Sequence, residues 1–251
     1  MNISKAIVEM AISKEGGKDT IGGDIIRITD LLEELLYVHE SKSEEENDYT
    51  ENSVLTTNVL NTTNHLFSST IGWEEISENI TRYESSSNLL RTSESAGYLL
   101  FQLSSFPNYT GTGGCWNCVE YVFEGSELQM NASVSPSNSS IDGICYNFDN
   151  SEICLPRSSF ENIVRKTLIK VAVQYNIDPE TYIFPTTTLP TNAVSNHYLY
   201  DESSENNMSL NGYIIGLSLN NGTTDIEITP EDPVIITFQH EPTQVDVLTL
   251  L

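Results

Sequence analysis

Cys115-Trp116-Asn117-Cys118 is the best-spaced set for chemistry in this chain, because thiols two residues apart can form and exchange a disulfide. A thioredoxin-type site needs a strand before the motif and a helix after it, so that the helix N-terminus lowers the thiol pKa. Here a strand-like run, Val119 to Phe123, follows the motif, and redox catalysis is not expected. Zinc binding by Cys115, Cys118, Cys145 and Cys154 also fits poorly, since eight residues intervene in the second pair where zinc pairs have about two to four. Structural disulfides are the favoured reading. Pairing Cys145 with Cys154 closes a short loop rich in turn residues and leaves Cys115 with Cys118; a crosswise arrangement between adjacent strands stays open.

The four histidines, His39, His65, His197 and His240, fall in unrelated contexts and read as surface or satisfied core side chains. Gly-x-Ser-x-Gly, phosphate-loop, His-Glu-x-x-His and dinucleotide signatures are absent from the sequence. The acidic pairs Glu33-Glu34 and Glu74-Glu75 are adjacent on expected helices and point apart, which suits solvation better than acid–base work. Enzymatic activity is not expected, and no cofactor is implied.

Charge narrows the partners. Eleven basic residues against 36 acidic ones leave a net charge of −25, which repels nucleic-acid backbones and anionic lipid headgroups alike. No Asp-x-Asp-x-Asp-Gly loop supports a calcium site. No run of about 18 apolar residues is present to span a bilayer, and Met1 to Ser13 lacks the long apolar segment and cleavage site of a secretory signal. Asn-x-Ser/Thr acceptors occur at Asn2, Asn61, Asn79, Asn108, Asn131, Asn138, Asn207 and Asn221. That count is above the roughly five expected by chance, and it is weakly in favour of a secretory route. A hydrophobic fraction of 38%, with 12 Tyr, 8 Phe and 2 Trp, argues for a folded chain despite the many Ser, Thr and Asn.

The elements that would carry these residues change in kind along the chain. After a turn and N-cap around Gly22-Gly23-Asp24, Ile25, Ile28, Leu32 and Leu35 form a helical stripe that Leu31 and Leu36 widen. Ser41 to Thr50 reads as a charged interhelix loop. A second helix carries Leu55, Val59, Thr62 and Leu66 and ends near Gly72-Trp73. A third, from about Ser77 to Leu103, places Ile80, Tyr83, Leu90, Gly97 and Leu100 near one face, with small Ser86 and Ser93 allowing close helix approach. From about Pro107 short β-prone runs alternate with turn residues: 119–123, 128–134, 167–175, 212–219, 225–228 and 234–238. In Ile169, Val171, Val173 and Tyr175 the apolar residues recur on every second position, the period of a strand with one buried face. The expected architecture is α+β and multidomain: a helical bundle over 1–106, then an antiparallel β-sandwich over 107–251.

Several stretches together resemble one family. Asp24-Ile25-Ile26, Leu31 to Leu36, Val59 to Phe67, the Trp73 turn, Ser87 to Leu90 and Glu94 to Leu100 keep the order and approximate spacing of the GAIN domain of latrophilin-like adhesion G-protein-coupled receptors. In the rear half, Lys170 to Asn176, Gly212 to Leu219 and Asp232-Pro233-Val234-Ile235-Ile236-Thr237-Phe238-Gln239-His240 are similar to that family's strands, the last being the most specific. The resemblance spans about residues 20 to 240. It implies a helical GAIN subdomain A followed by a sandwich-like subdomain B, on the extracellular side of the plasma membrane or secreted.

The family continues past this point into a Cys- and Trp-rich stretch ending in a His-Leu-Thr/Ser cleavage site, whereas His240 is followed here by Glu241, and His65-Leu66 by Phe67. The last strands, the proteolysis motif and the transmembrane part are therefore expected to be missing from this chain as given, with no self-cleavage and no tethered agonist, as in an incomplete fragment or gene model, or in a shortened soluble isoform or diverged product. The implied function is a non-enzymatic scaffold for adhesion and signalling. Its partners would be a protein ligand, or the receptor's own downstream activating segment and transmembrane domain, with membrane contact only through those helices. The competing expectation is a secreted adhesion or decoy module that binds a protein through an exposed sheet edge.

Overall fold

The computed structural model describes residues 20–40, 49–101, 119–136, 143–149, 151–156, 167–177, 214–220 and 235–238. Among the described residues four helices come first: α1 (Gly22–Glu40), α2 (Tyr49–Ser68), the short α3 (Thr70–Glu75) and α4 (Asn79–Leu99). Seven strands follow: β1 (Val119–Glu124), β2 (Leu128–Pro136), β3 (Gly143–Phe148), β4 (Ser151–Pro156), β5 (Thr167–Tyr175), β6 (Ile214–Asn220) and β7 (Ile235–Phe238). They form a four-stranded sheet, β1-β2-β5-β6, and a three-stranded sheet, β3-β4-β7, with every pairing antiparallel. Helices first and antiparallel sheets after them is the order the sequence implies. The expected boundary at 106/107 and the run 225–228 lie outside the described residues.

α1 already includes Gly22, Gly23 and Asp24, which the sequence reads as a turn and N-cap leading into Ile25. The cause is packing against α3. A Cβ on Gly22 would lie 2.9 Å from the Gly72 carbonyl oxygen, and one on Gly72 only 2.0 Å from that of Thr20, so the two glycines let backbone approach backbone. The Glu75 carboxylate accepts from the Gly22 amide at 3.0 Å, meeting one of the donors a helix start leaves unpaired. Glu75 is thus a capping group. Glu33 likewise pairs with Arg91 across the bundle, so neither acidic pair is wholly given over to solvent.

α2 starts at Tyr49, inside the stretch read as a loop, and stops at Ser68, before the expected end at Gly72-Trp73. Trp73 sits instead in α3, fully buried and stacked on Phe67, its indole N–H donating to the Leu66 carbonyl at 2.8 Å. Pairing that N–H allows an indole to be buried there at no hydrogen-bonding cost. Between α2 and α4 the contact is partly polar: Asn52 donates to the Leu99 carbonyl and Thr56 to that of Ala96, both at 2.8 Å. His39 closes this set by bonding Asn52 Oδ1 at 2.8 Å; because the Asn52 amide nitrogen already donates to Leu99, the oxygen accepts and the His39 Nε2 donates.

The face of α4 differs from its apolar pattern. Ile80 is 72% exposed, while Ser85, Ser86, Leu89, Thr92, Ser93, Ala96, Gly97 and Leu99 are buried. Small residues line the side that meets α1, α2 and the sheet, as close helix approach requires, and a reading keyed to large apolar residues misplaces the stripe by part of a turn.

In the larger sheet, β2 and β5 pair over their whole length, setting Leu128, Met130, Ala132 and Val134 opposite Tyr175, Val173, Val171 and Ile169. These side chains are all buried and join the helical residues in one core. The other face of β5 is buried as well: Lys170, Ala172 and Gln174 lie beneath the smaller sheet. β5 is therefore a central strand covered on both faces, whereas its alternation predicts burial of one. Its second layer is largely polar, with Ser133 bonded to Tyr146 at 2.9 Å, Gln129 to Asp149, and Ser151 to Gln174.

Candidate functional site

The contact between helices and larger sheet draws on three glycines. On α4, a Cβ at Gly97 would come within 2.8 Å of Val171 Cγ1 and 3.1 Å of Met130 Sδ. In the β1–β2 turn, one at Gly125 would meet Asn64 Oδ1 of α2 at 2.3 Å; on β6, one at Gly216 would meet Glu94 Oε1 of α4 at 2.7 Å. Each glycine stands where the two halves of the chain come closest, and each works by having no side chain.

Polar bonds fix the register of that contact. Thr57 of α2 and Tyr121 of β1 share a hydroxyl–hydroxyl bond of 2.9 Å, and the Glu127 amide donates to Asn64 Oδ1 at 2.8 Å. Tyr175 on β5 donates to the Leu90 carbonyl of α4 at 3.1 Å, and Ser218 on β6 to Glu94 Oε2 at 3.1 Å. Burial raises the Tyr175 phenol well above its ordinary pKa, the Glu94 carboxylate adds to the rise, and a bond with Ser93 opposes it. Burial likewise raises Tyr121, offset in part by the Thr57 bond. Both hydroxyls stay protonated at neutral pH and keep their bonds. The Phe67 ring meets Tyr175 edge-on, with centroids 6.1 Å apart. These contacts tie α4 and the end of α2 to β5, and α4 to β6.

Against this geometry, residues 2–100 match the family model described as AGRL2-4 GAIN subdomain A. The helical front of this chain is a GAIN subdomain A. The larger of the antiparallel sheets that follow it is laid directly on α4, and the chain carries the helix-then-sheet order of a GAIN domain. No curated protein matches the chain.

The residues singled out from the sequence are spread across the fold. Cys145 and Cys154 face each other on β3 and β4 and are joined by a disulfide, with Cα atoms 4.1 Å apart. The segment between them, expected to be a loop, is a hairpin whose strands pair from Gly143↔Pro156 to Phe148↔Ser151. Glu152 brings a carboxylate oxygen within 4.8 Å of both sulfurs, but bonded to each other these do not offer thiolates to zinc. Cys115 and Cys118 lie outside the described residues, as do His197 and His240. His39 is a buried core side chain, and His65 sits half-buried near the end of α2.

Of the glycosylation acceptors, Asn61 and Asn79 are exposed on helices, and Asn131 is half-buried on β2. Asn2, Asn108, Asn138, Asn207 and Asn221 lie outside the described residues. Sequence reasoning missed Glu94, Asn64, Tyr121 and Ser218 as contact residues. Only the small residues on α4 and the Gly in β6 hinted at so close an approach.

Proposed function

We propose that this chain is the extracellular GAIN region of an adhesion G-protein-coupled receptor, acting as a non-enzymatic scaffold. The observation that carries this reading is the seat of α4 on β5 and β6, lined by Gly97 and Gly216 and bonded through Glu94 and Tyr175. Through such a contact, ligand or force applied to the helical subdomain reaches the sheets, and the sheets hold the receptor's activating segment until that contact is disturbed. The acidic surface, with a net charge of −25, suits a protein partner rather than nucleic acid.

A second reading is a secreted adhesion or decoy module. It is favoured by β7, an edge strand among the described residues, on which Ile235, Ile236 and Thr237 are all exposed, so that a partner strand could add there. Surface biotinylation of intact expressing cells, followed by detection with an antibody to the helical half, separates the readings. Labelled protein retained with the cells supports the receptor, protein in the medium supports the secreted module, and unlabelled intracellular protein overturns both.

A further inference from the structure

Cys145 and Cys154 are nine residues apart in a hairpin whose ladder sets them directly opposite each other. A crosslink over so short a loop removes less freedom from the unfolded chain than one that closes a long loop. The bond lies on the outer face of the smaller sheet. Tyr146 and Ile153, its neighbours in sequence, turn inward and are buried; Cys145 is exposed and Cys154 half-buried. An exposed disulfide is of the kind open to exchange.

We propose that Cys145 is a site of reversible thiolation, opened by neutral or cationic low-molecular-weight thiols. The incoming thiolate attacks Sγ of Cys145, the accessible sulfur. The Cys145–Cys154 bond breaks, and its electron pair leaves on Sγ of Cys154, which takes a proton from water. The product is a mixed disulfide at Cys145. Attack by a second thiolate on the outer sulfur of that mixed disulfide releases the small disulfide and leaves both cysteines reduced. Because the β3–β4 ladder keeps the two sulfurs opposed, the Cys154 thiolate can equally return to Cys145 and expel the small thiol, which makes the modification reversible.

Glu152 sets the class of reagent. Its carboxylate lies within 4.8 Å of both sulfurs, on a chain of net charge −25, so a thiol bearing an extra negative charge is repelled at the point of attack. One unit charge at this distance in water corresponds to a rate difference of roughly fourfold.

The test uses the full oxidised chain, folded, at pH near 8. It is exposed to cysteamine or to 2-mercaptoethanesulfonate, quenched with acid, and mapped by fragment mass spectrometry, with each rate normalised to that of the same thiol on a small neutral disulfide. Cysteamine is expected on Cys145, at least about fourfold faster than the sulfonate, with unchanged far-UV circular dichroism and Trp fluorescence. Glu152→Gln is expected to narrow the difference between the two thiols. A bond that opens only in denaturant, an adduct carried mainly by Cys154, loss of folded structure on opening, or equal normalised rates in the wild-type chain would each overturn the proposal.

Discussion

Lys170 illustrates how a single residue sets a pH dependence. It lies on β5 beneath the smaller sheet, 6% exposed, where burial lowers its pKa from 10.5 to about 8 while the Glu120 carboxylate partly opposes the fall. Below about pH 8 the folded state bears the full cost of a buried ammonium. Between about 8 and 10.5 the unfolded chain still binds the proton and the folded chain does not, so stability contributed by this group rises with pH. Tyr146 and Tyr175, both raised by burial, act in the opposite sense only as pH passes their ordinary value of 10, which leaves the Lys170 rise visible between pH 8 and about 9.5. Lys170→Met should therefore raise urea stability at pH 7 by about 2 kcal/mol and flatten that rise. A second prediction concerns glycans. Asn131 donates to Glu120 while its Oδ1 is buried with no partner among the described residues, and the Ser133 hydroxyl of its sequon is held by Tyr146. Glycopeptide mass spectrometry of secreted protein should find sugar at exposed Asn61 and Asn79 and none at Asn131, since a glycan there would part the two sheets. Neither the depth of Lys170 nor the constraint on Asn131 is written in local sequence. Both depend on a second sheet that packs over β5 and β2 from elsewhere in the chain.

Among the elements, α4 carries the most consequence. Gly97→Val places branched carbon where a single Cβ already meets Val171 and Met130, and should destabilise the protein by about 1–3 kcal/mol, measured as a fall in urea midpoint with little change in slope. The existence of α1, α2 and α4, and the span of β5 from Thr167 to Tyr175, follow from periodicity in the sequence. Details set by contact do not. The start of α1 is pulled forward by its approach to Gly72 and Glu75; Ile80 is left outside because small residues give α4 its tighter face. The β3–β4 hairpin escaped notice although Ile144, Tyr146 and Phe148, and then Ile153 and Leu155, fall on every second position, because each run is short and broken by Cys, Asn, Asp, Ser and Glu, a texture shared with loops.

At the scale of the molecule, the layers run helices, larger sheet, smaller sheet, with unequal glue. The main apolar core lies between helices and larger sheet, drawing together Leu32, Phe67, Leu89, Met130, Val171 and Tyr175. Between the sheets, hydrogen bonds among Gln129, Ser133, Tyr146, Ser151 and Gln174 take a larger share. Helices before strands was legible from composition and turn residues alone. That the helices dock on the sheet through three glycines and a carboxylate was not, because a glycine's partner across an interface leaves no local trace. The central claim is that α4 and the larger sheet form one mechanical unit, and native-state hydrogen exchange of the wild-type and Gly97→Val chains tests it most directly. Amides of α4 and β5 should exchange through a shared opening and lose protection by the same amount in the variant. If β5 kept wild-type protection while α4 lost its own, the two halves would be neighbours rather than a unit, and the account would fail.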